Sequence, residues 1–181
     1  YSINAVDFAE YKSQLDFLIE GRYTFQFYAA DNVGNVETLH KYVYTVDLSP
    51  PNTYYNIVGV AKGNIISSST VVYLTSSDSL SGVAKTYYCF DNEDFRLLSS
   101  RTIPTAHLSE GDHVLKYYSI DNVGNKEPEG SYSFFLDKTA PIMATDILGD
   151  KFKVKDRVYL SARTKLKITA VDNKAGVKQV M

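Results

Sequence analysis

One segment of this sequence occurs twice at a fixed spacing, and this repetition limits the folds that the chain can adopt. DNVGN occupies residues 31–35 and again residues 121–125. A Glu-Gly pair precedes both copies, at residues 20–21 and 110–111. The offset is 90 residues in each case. Repetition on this scale indicates an array of similar structural units.

The alignment continues downstream of DNVGN. Residues 46–51 match residues 136–141 at the same offset of 90. Residues 74–78 then match residues 168–172 at an offset of 94, which indicates four inserted residues. A unit of about 90 residues has the size of an immunoglobulin-like sandwich.

These matches predict three segments. Residues 1–46 are expected to be the C-terminal half of a first repeat, residues 47–136 a complete repeat, and residues 137–181 the N-terminal half of a third. Half a sandwich buries too little apolar surface to offset the entropy of the chain. We therefore expect either that the chain is an excerpt of a longer array, or that its halves complete each other between molecules.

Composition and local pattern favour an all-β chain. Fifteen Tyr and nine Phe, with no Trp, accompany short runs rich in β-branched residues, and no run has helical periodicity. We predict tandem Ig-like or fibronectin-type-III-like β-sandwich repeats. The strands expected in the complete repeat are 54–60, 70–76, 83–90, 96–98, 106–108, 113–120 and 132–136.

The strand before DNVGN can be assigned an inner face by comparing its two copies. Alternate residues on the more apolar face are expected to point into the core. These residues are Tyr23, Phe25, Phe27 and Ala29 in the first copy, and His113, Leu115, Tyr117 and Ser119 in the second. Tyr28 and Tyr118 are then expected to face outward.

The combined pattern resembles a family of bacterial Ig-like surface repeats, the tandem type named after a spirochaete outer-membrane protein. It is also similar to the Ig-like repeats of large bacterial adhesins. The resemblance covers essentially the whole chain. It rests on Tyr28, Asp31, Asn32, Gly34, Asn35, Glu37, Asp47 and Pro51, with Tyr118, Asp121, Asn122, Gly124, Asn125, Glu127, Asp137 and Pro141 in the second copy. Residues 18–23 also resemble the tyrosine corner of such sandwiches, in which a tyrosine hydroxyl bonds back to the main chain. His113 replaces that tyrosine in the second copy.

The recurring aspartates admit two interpretations. In the first, each Asp caps its own turn, with a following glycine at positive φ. In the second, they bind calcium at junctions between repeats, as the resembling adhesin repeats do, because Ca²⁺ takes six to eight oxygen ligands. The expected sets are Asp31, Asp47 and Asp78 at one junction and Asp121, Asp137 and Asp172 at the next.

Catalysis and nucleic-acid binding find no support in the sequence. The net charge is -2 and no basic cluster offsets it. The three histidines, His40, His107 and His113, lack zinc-like spacing, and the single Cys89 is expected to be a buried thiol. No apolar run is long enough for a transmembrane helix.

We therefore expect a non-catalytic spacer or adhesion segment of a bacterial surface or secreted protein. Its location would be extracellular, at the cell surface or in the outer envelope. Its partners would be neighbouring repeats of the same chain and a host matrix protein or glycan. One alternative is an array of accessory modules, for carbohydrate binding or spacing, in an extracellular carbohydrate-active enzyme. Another is a purely structural protein of the periplasm or envelope.

Overall fold

The computed structural model describes all 181 residues, and it contains β-strands joined by turns and irregular segments, with no helix. The all-β prediction is therefore confirmed. In chain order the strands are β1 (Ser2–Ile3), β2 (Gly21–Phe27), β3 (His40–Val46), β4 (Asn52–Val58), β5 (Ala61–Lys62), β6 (Ile65–Ser67), β7 (Val71–Ser77), β8 (Val83–Phe90), β9 (Arg96–Leu97), β10 (Thr102–Pro104), β11 (Gly111–Asp121), β12 (Gly130–Asp137), β13 (Ile142–Leu148), β14 (Lys151–Val154), β15 (Arg157–Leu160) and β16 (Lys165–Val171).

The strands form several sheets. One has the order β1-β2-β3, a second β10-β7-β4, and the largest β5-β6-β12-β11-β8-β9. Two further sheets, β13-β16 and β14-β15, are two-stranded. Most pairs are antiparallel, but β6 and β12 run parallel, with Ile66 opposite Leu136.

Contacts along the chain divide it into two compact units. The first comprises residues 1–54, 74–99 and 116–131, and the second comprises residues 55–73, 100–115 and 132–181. The first unit contains the sheet β1-β2-β3, in which Phe25 pairs with Tyr42 and Ser2 with Gln26. The second contains the sheets β13-β16 and β14-β15. The predicted repeat boundaries stay a prediction.

Burial is concentrated in one stretch of the sequence. Every buried apolar side chain lies between residues 47 and 136. The largest of them are Phe134, Ile66, Leu74, Ile103, Leu115 and Leu136. Outside that stretch Ser2 is the one buried residue. The apolar side chains of residues 1–46 and 137–181 are all exposed or half-buried.

The inner face predicted for β11 is correct. His113, Leu115, Tyr117 and Ser119 are all buried, whereas the residues between them are half-buried. This alternation follows from the two-residue period of a strand. The corresponding face of β2 is only half-buried at Tyr23, Phe25 and Phe27, and Ala29 beyond its end is exposed.

Most strand positions are close to those predicted, and the bounds of β8 are as predicted. The strand expected at residues 106–108 was wrong. Leu108 N–H donates to Thr105 O in a turn there, and the strand lies earlier, at β10. Strands β5 and β6 were not predicted.

Candidate functional site

Asp121 at the end of β11 organises the DNVGN turn. Its Oδ1 accepts hydrogen bonds from the N–H groups of Val123, Gly124 and Asn125 at 2.7–2.9 Å. Its Oδ2 accepts one from Asn125 Nδ2 at 2.7 Å. Burial opposes ionisation of Asp121, but these bonds outweigh it and lower the pKa of the carboxyl group. The carboxylate is therefore held in its charged form.

Asp47 and Asp78 cap two other turns by the same means. Asp47 accepts from the N–H of Ser49 at 3.1 Å and from the N–H of Ser81 at 2.8 Å. Asp78 Oδ1 accepts from the N–H groups of Leu80 and Gly82. The loop that carries Asp78 is thereby tied to Asp47, which lies in the segment between β3 and β4.

The structure brings Asp47, Asp78 and Asp121 together. Their nearest carboxylate oxygens lie within 4.8 Å of one another. Asp47 and Asp121 are buried and Asp78 is half-buried. Three carboxylates this close repel one another. Contacts with Ser81 nevertheless lower the pKa of Asp47 overall, against burial and the charge of Asp121. The backbone N–H donors, or a bound cation, can offset that repulsion.

The three carboxylates are ligands of the kind that a hard divalent cation binds, but they are too few to complete its coordination. Carboxylate oxygens are the ligands that Ca²⁺ prefers. Ser81 Oγ is buried and makes no hydrogen bond of regular geometry. Its hydroxyl is nevertheless the largest influence lowering the pKa of Asp47, ahead of the N–H groups of Ser81 and Ser49. Most of the oxygens already accept N–H bonds, so solvent would have to complete the coordination.

This grouping differs from the predicted one. Asp121 takes the place expected for Asp31, because the second DNVGN turn, residues 121–125, lies beside the loop that carries Asp78. Asn122 Nδ2 donates to Ser81 O at 2.7 Å and to Gly82 O at 3.0 Å, and Asn125 Nδ2 donates to Asp47 O at 3.1 Å. These side chains join the turn to the Asp78 loop and to the segment between β3 and β4.

The other three aspartates repeat the turns without forming such a group. Asp31 accepts from Val33 N, Asn35 N and Asn35 Nδ2, as Asp121 does in its own turn, but it is exposed. In the second unit, Asp137 accepts from Ala175 N, and Asp172 accepts from Lys174 N and Gly176 N.

The tyrosine corner is present in the first copy, and histidine substitutes for it in the second. Tyr23 OH donates to Ile19 O at 2.8 Å. His113 Nε2 lies 3.0 Å from Ser109 O, and since a carbonyl can only accept, the imidazole donates this bond. Both bonds reach four residues back. His113 thus has a structural role equivalent to that of Tyr23.

Cys89 is 3% exposed, and burial raises the pKa of its thiol. A raised pKa leaves little thiolate, the form in which cysteine is nucleophilic, at neutral pH. His40 lies 2.6 Å from Glu37 Oε1 and stacks against Phe27. Neither arrangement resembles a nucleophile beside its base.

A buried polar cluster escaped sequence analysis. Ser119 Oγ lies 2.7 Å from Thr53 Oγ1 and 2.8 Å from both Ser76 Oγ and Thr86 Oγ1. Glu127 completes the cluster through Ser119 N–H at 2.6 Å, Thr53 N–H at 2.9 Å and the Thr53 hydroxyl. The only available signal was a set of small hydroxyl residues on inward strand positions. Because Thr53, Ser119 and Glu127 are buried and the members of the cluster satisfy one another's hydrogen bonds, the cluster holds its strands together.

Comparison with known proteins returns no matching family model, no curated protein and no solved structure. No helix in the structure has the length and apolar character needed to cross a bilayer. Inference about function therefore rests on the residues and their geometry.

Proposed function

We propose that this chain is a non-catalytic segment of tandem Ig-like β-sandwich repeats from a bacterial surface or secreted protein. Its role is to space or present an adhesive region toward host matrix or glycans, outside the cell. The observation that carries the proposal is that the same hydrogen bonds recur at the offsets of the sequence repetition.

Three sets of bonds recur in this way. The corner bond of Tyr23 recurs at His113, 90 residues later. The bonds of the Asp31 turn recur at Asp121 at the same offset. The bond from Ser81 N–H to Asp47 recurs from Ala175 N–H to Asp137, at offsets of 94 and 90 residues. Chance similarity of sequence would not reproduce side-chain to main-chain bonds at matching positions.

The distribution of burial supports the proposed boundaries. Residues 47–136 contain the hydrophobic core, and the flanking segments contain none. One complete repeat between two halves accounts for that asymmetry.

A sugar-binding role in a carbohydrate-active enzyme has less support. Flat sugar platforms need aromatic faces open to solvent. Phe27 instead lies between His40 and Tyr42, with ring centroids 5.0 and 5.9 Å away, and Tyr42 stacks on Tyr44. Stacking reduces the ring face left for a sugar, which favours spacing over sugar binding, although Tyr42 and Tyr44 remain 46% and 49% exposed.

The Asp47–Asp78–Asp121 group is the proposed cation site of the complete repeat, and calcium is the candidate ion. A bound ion would fix the linker residue Asp47 to the turn and the loop, which would stiffen the entry into the repeat. Because the ion would bind the folded state and not the unfolded chain, it would raise the melting temperature. Comparing the melting temperature in calcium with that in chelator tests this, and Asp121→Ala should abolish any increase that calcium produces. Equal melting temperatures in both buffers would mean that the aspartates only cap their turns.

Independent folding of the complete repeat tests the proposed organisation. Residues 47–136 expressed alone should unfold cooperatively, as a self-contained sandwich does. Residues 92–181 have the same length but are shifted by half a repeat, so they should not. Binding of the full chain to immobilised matrix proteins and glycans then distinguishes adhesion from spacing alone. Cooperative unfolding of residues 92–181, or the lack of it in residues 47–136, would overturn the proposal.

A further inference from the structure

The hairpin of β14 and β15 is a lengthened form of the hairpin of β5 and β6. At the base of the shorter hairpin, Thr70 Oγ1 donates to Val60 O at 2.9 Å. At the base of the longer one, Thr164 Oγ1 donates to Asp150 O at 2.7 Å. The sequence offset is 90 residues between the two acceptors and 94 residues between the two donors. The four inserted residues therefore lie within this hairpin.

The insertion lengthens the hairpin at its tip. Gly63 begins the two-residue turn between β5 and β6 with a φ of 62°. Lys155 begins the turn between β14 and β15 with a φ of 52°. The offset at the turn is 92 residues, so each strand gains two residues and the hairpin reaches about 7 Å further. Residues 153–157 form this extension.

The extension lies beyond the contacts that a neighbouring strand makes with the shorter hairpin. In the complete repeat, β6 pairs with β12 through residues 65–67, and Asn64 O accepts a bond from Phe135 N–H. The counterparts of these residues in the longer hairpin are 158–161, which follow the extension. A fully formed repeat therefore leaves the extension at the surface.

The lengthened hairpin is basic. Residues 151–160 contain four Lys or Arg and one Asp, a net charge of +3, whereas residues 61–66 contain one Lys, a net charge of +1. The four cations are Lys151, Lys153, Lys155 and Arg157, and all are exposed. The structure gives none of them an ion pair. Positive charge without a partner attracts an anionic ligand.

The cations are distributed over both faces of the hairpin. Lys151 and Lys153 share one face and lie about 7 Å apart along the strand. Arg157 lies on the other face, together with the cross-strand pair of Phe152 and Tyr159. These two aromatic side chains are 67% and 53% exposed. Open aromatic rings therefore lie beside positive charge.

This combination suits a linear acidic polysaccharide. Lysine and arginine bind sulfate and carboxylate groups, and an exposed aromatic face contacts the C–H face of a sugar ring. A flat anionic membrane meets one face of a hairpin at a time. A flexible chain follows both faces around the tip, where Lys155 lies, and so reaches all four cations.

We propose that the extended β14–β15 hairpin binds anionic polysaccharides, which are chains of sugar rings that carry sulfate or carboxylate groups. This inference rests on the adhesive role proposed above and gives that role a site and a class of ligand. The hairpin at residues 61–66 lacks the extension and serves as an internal form that does not bind.

Fluorescence anisotropy of labelled heparin oligosaccharides, titrated with the full chain, tests the proposal. Replacing residues 151–160 by the sequence of residues 61–66 should abolish binding. Each ionic contact with a single-stranded polyanion contributes a factor of about five in about 0.1 M salt, so Lys153→Gln with Arg157→Gln should weaken binding roughly 25-fold. Lys12→Gln with Lys41→Gln, in the first unit, changes the net charge equally and should leave the affinity unchanged.

Milder changes cover the case in which the larger replacements disturb the fold. Lys155→Gly removes one charge at a positive φ that glycine adopts without strain, so it should weaken binding about fivefold while the turn persists. Phe152→Ser should weaken binding at constant net charge, whereas Leu97→Ser, at an exposed apolar residue of the first unit, should not. For the unaltered chain, four ionic contacts predict a roughly 20-fold loss of affinity when the salt concentration triples.

Heparin carries sulfates and carboxylates and hyaluronan carries carboxylates alone, so comparing them identifies the preferred group, and binding of either supports the proposal. Failure of both to bind, or variants that bind unchanged, would overturn it. Equal affinity for a thymidylate oligonucleotide or for phosphatidylserine vesicles would also overturn it. Unfolding of residues 47–136 separates this failure from that of the repeat organisation: cooperative unfolding without glycan binding removes the site alone, and glycan binding without cooperative unfolding removes the repeats alone.

Discussion

Replacing Glu127 by glutamine should destabilise the fold although the two side chains have the same shape. Glu127 is 7% exposed, and both of its oxygens accept from main-chain N–H groups. Ser119 N–H donates to Oε1 and Thr53 N–H donates to Oε2. A main-chain N–H cannot reverse its role. In either orientation, the NH₂ group of glutamine must therefore face a buried donor.

The expected cost combines two effects. One charge-assisted hydrogen bond is lost, and one buried N–H is left without an acceptor, so together they amount to about 2–4 kcal/mol. For a domain of this size that loss lowers the melting temperature by roughly 10–25 °C. Thermal unfolding followed by circular dichroism measures it, and hydrogen exchange at the Ser119 amide localises it.

Glu37 provides a matched control at the aligned position of the first copy. It accepts from Ala29 N–H at 3.2 Å and lies beside His40, and it is exposed. Glutamine can keep its carbonyl toward Ala29 and turn its NH₂ toward a histidine nitrogen or solvent. Glu37→Gln should therefore leave stability unchanged. Equal effects of the two substitutions, or a shift of less than about 3 °C in Glu127→Gln, would refute this account of the buried cluster.

Three further results are expected. Hydrogen bonds lower the pKa values of Asp47 and Asp121 in the fold, so the stability that they contribute is present above the unfolded pKa of about 3.9 and is lost as pH falls through the folded values. Melting temperatures measured from neutral to acid pH should show this loss of stability, and the double variant Asp47→Asn with Asp121→Asn should show less of it. An acid profile that the variants leave unaltered would contradict this. His113→Ala should lower the free energy of unfolding by about 1–3 kcal/mol, because the bond to Ser109 O is lost. His113→Tyr should recover part of that stability in urea unfolding, and equal losses in the two variants would argue that His113 does not replace the corner tyrosine. Since burial raises the pKa of the Cys89 thiol, iodoacetamide should alkylate it only in denaturant, and rapid labelling of the native chain would contradict its enclosure.

Much of the fold could be predicted from local patterns in the sequence. The alternation in residues 113–119 identified the inner face of β11, because a strand with one buried side has a strict two-residue period. The bounds of β8 followed from a β-branched and aromatic run after a glycine turn. Strand β6 was missed since it is short and pairs in parallel with β12, far along the chain, which no local pattern records.

The candidate site was predictable in its residues but not in its grouping. Asp47, Asp78 and Asp121 were all identified from their recurrence. Their association depends on which turn lies beside the Asp78 loop, and Asn122 and Asn125 decide that through bonds that span 40 residues or more. The hydroxyl cluster around Ser119 was invisible for the same reason, because its members come from four separate strands.

Limited proteolysis of the full chain in dilute solution, with the fragments weighed by mass spectrometry, tests the central claim most directly. A self-contained repeat flanked by incompletely covered halves predicts early cleavage within residues 1–46 and 137–181. It also predicts one resistant fragment that begins near residue 47 and ends near residue 136. Ends as resistant as the middle in a monomeric sample, or first cuts inside residues 47–136, would contradict the account.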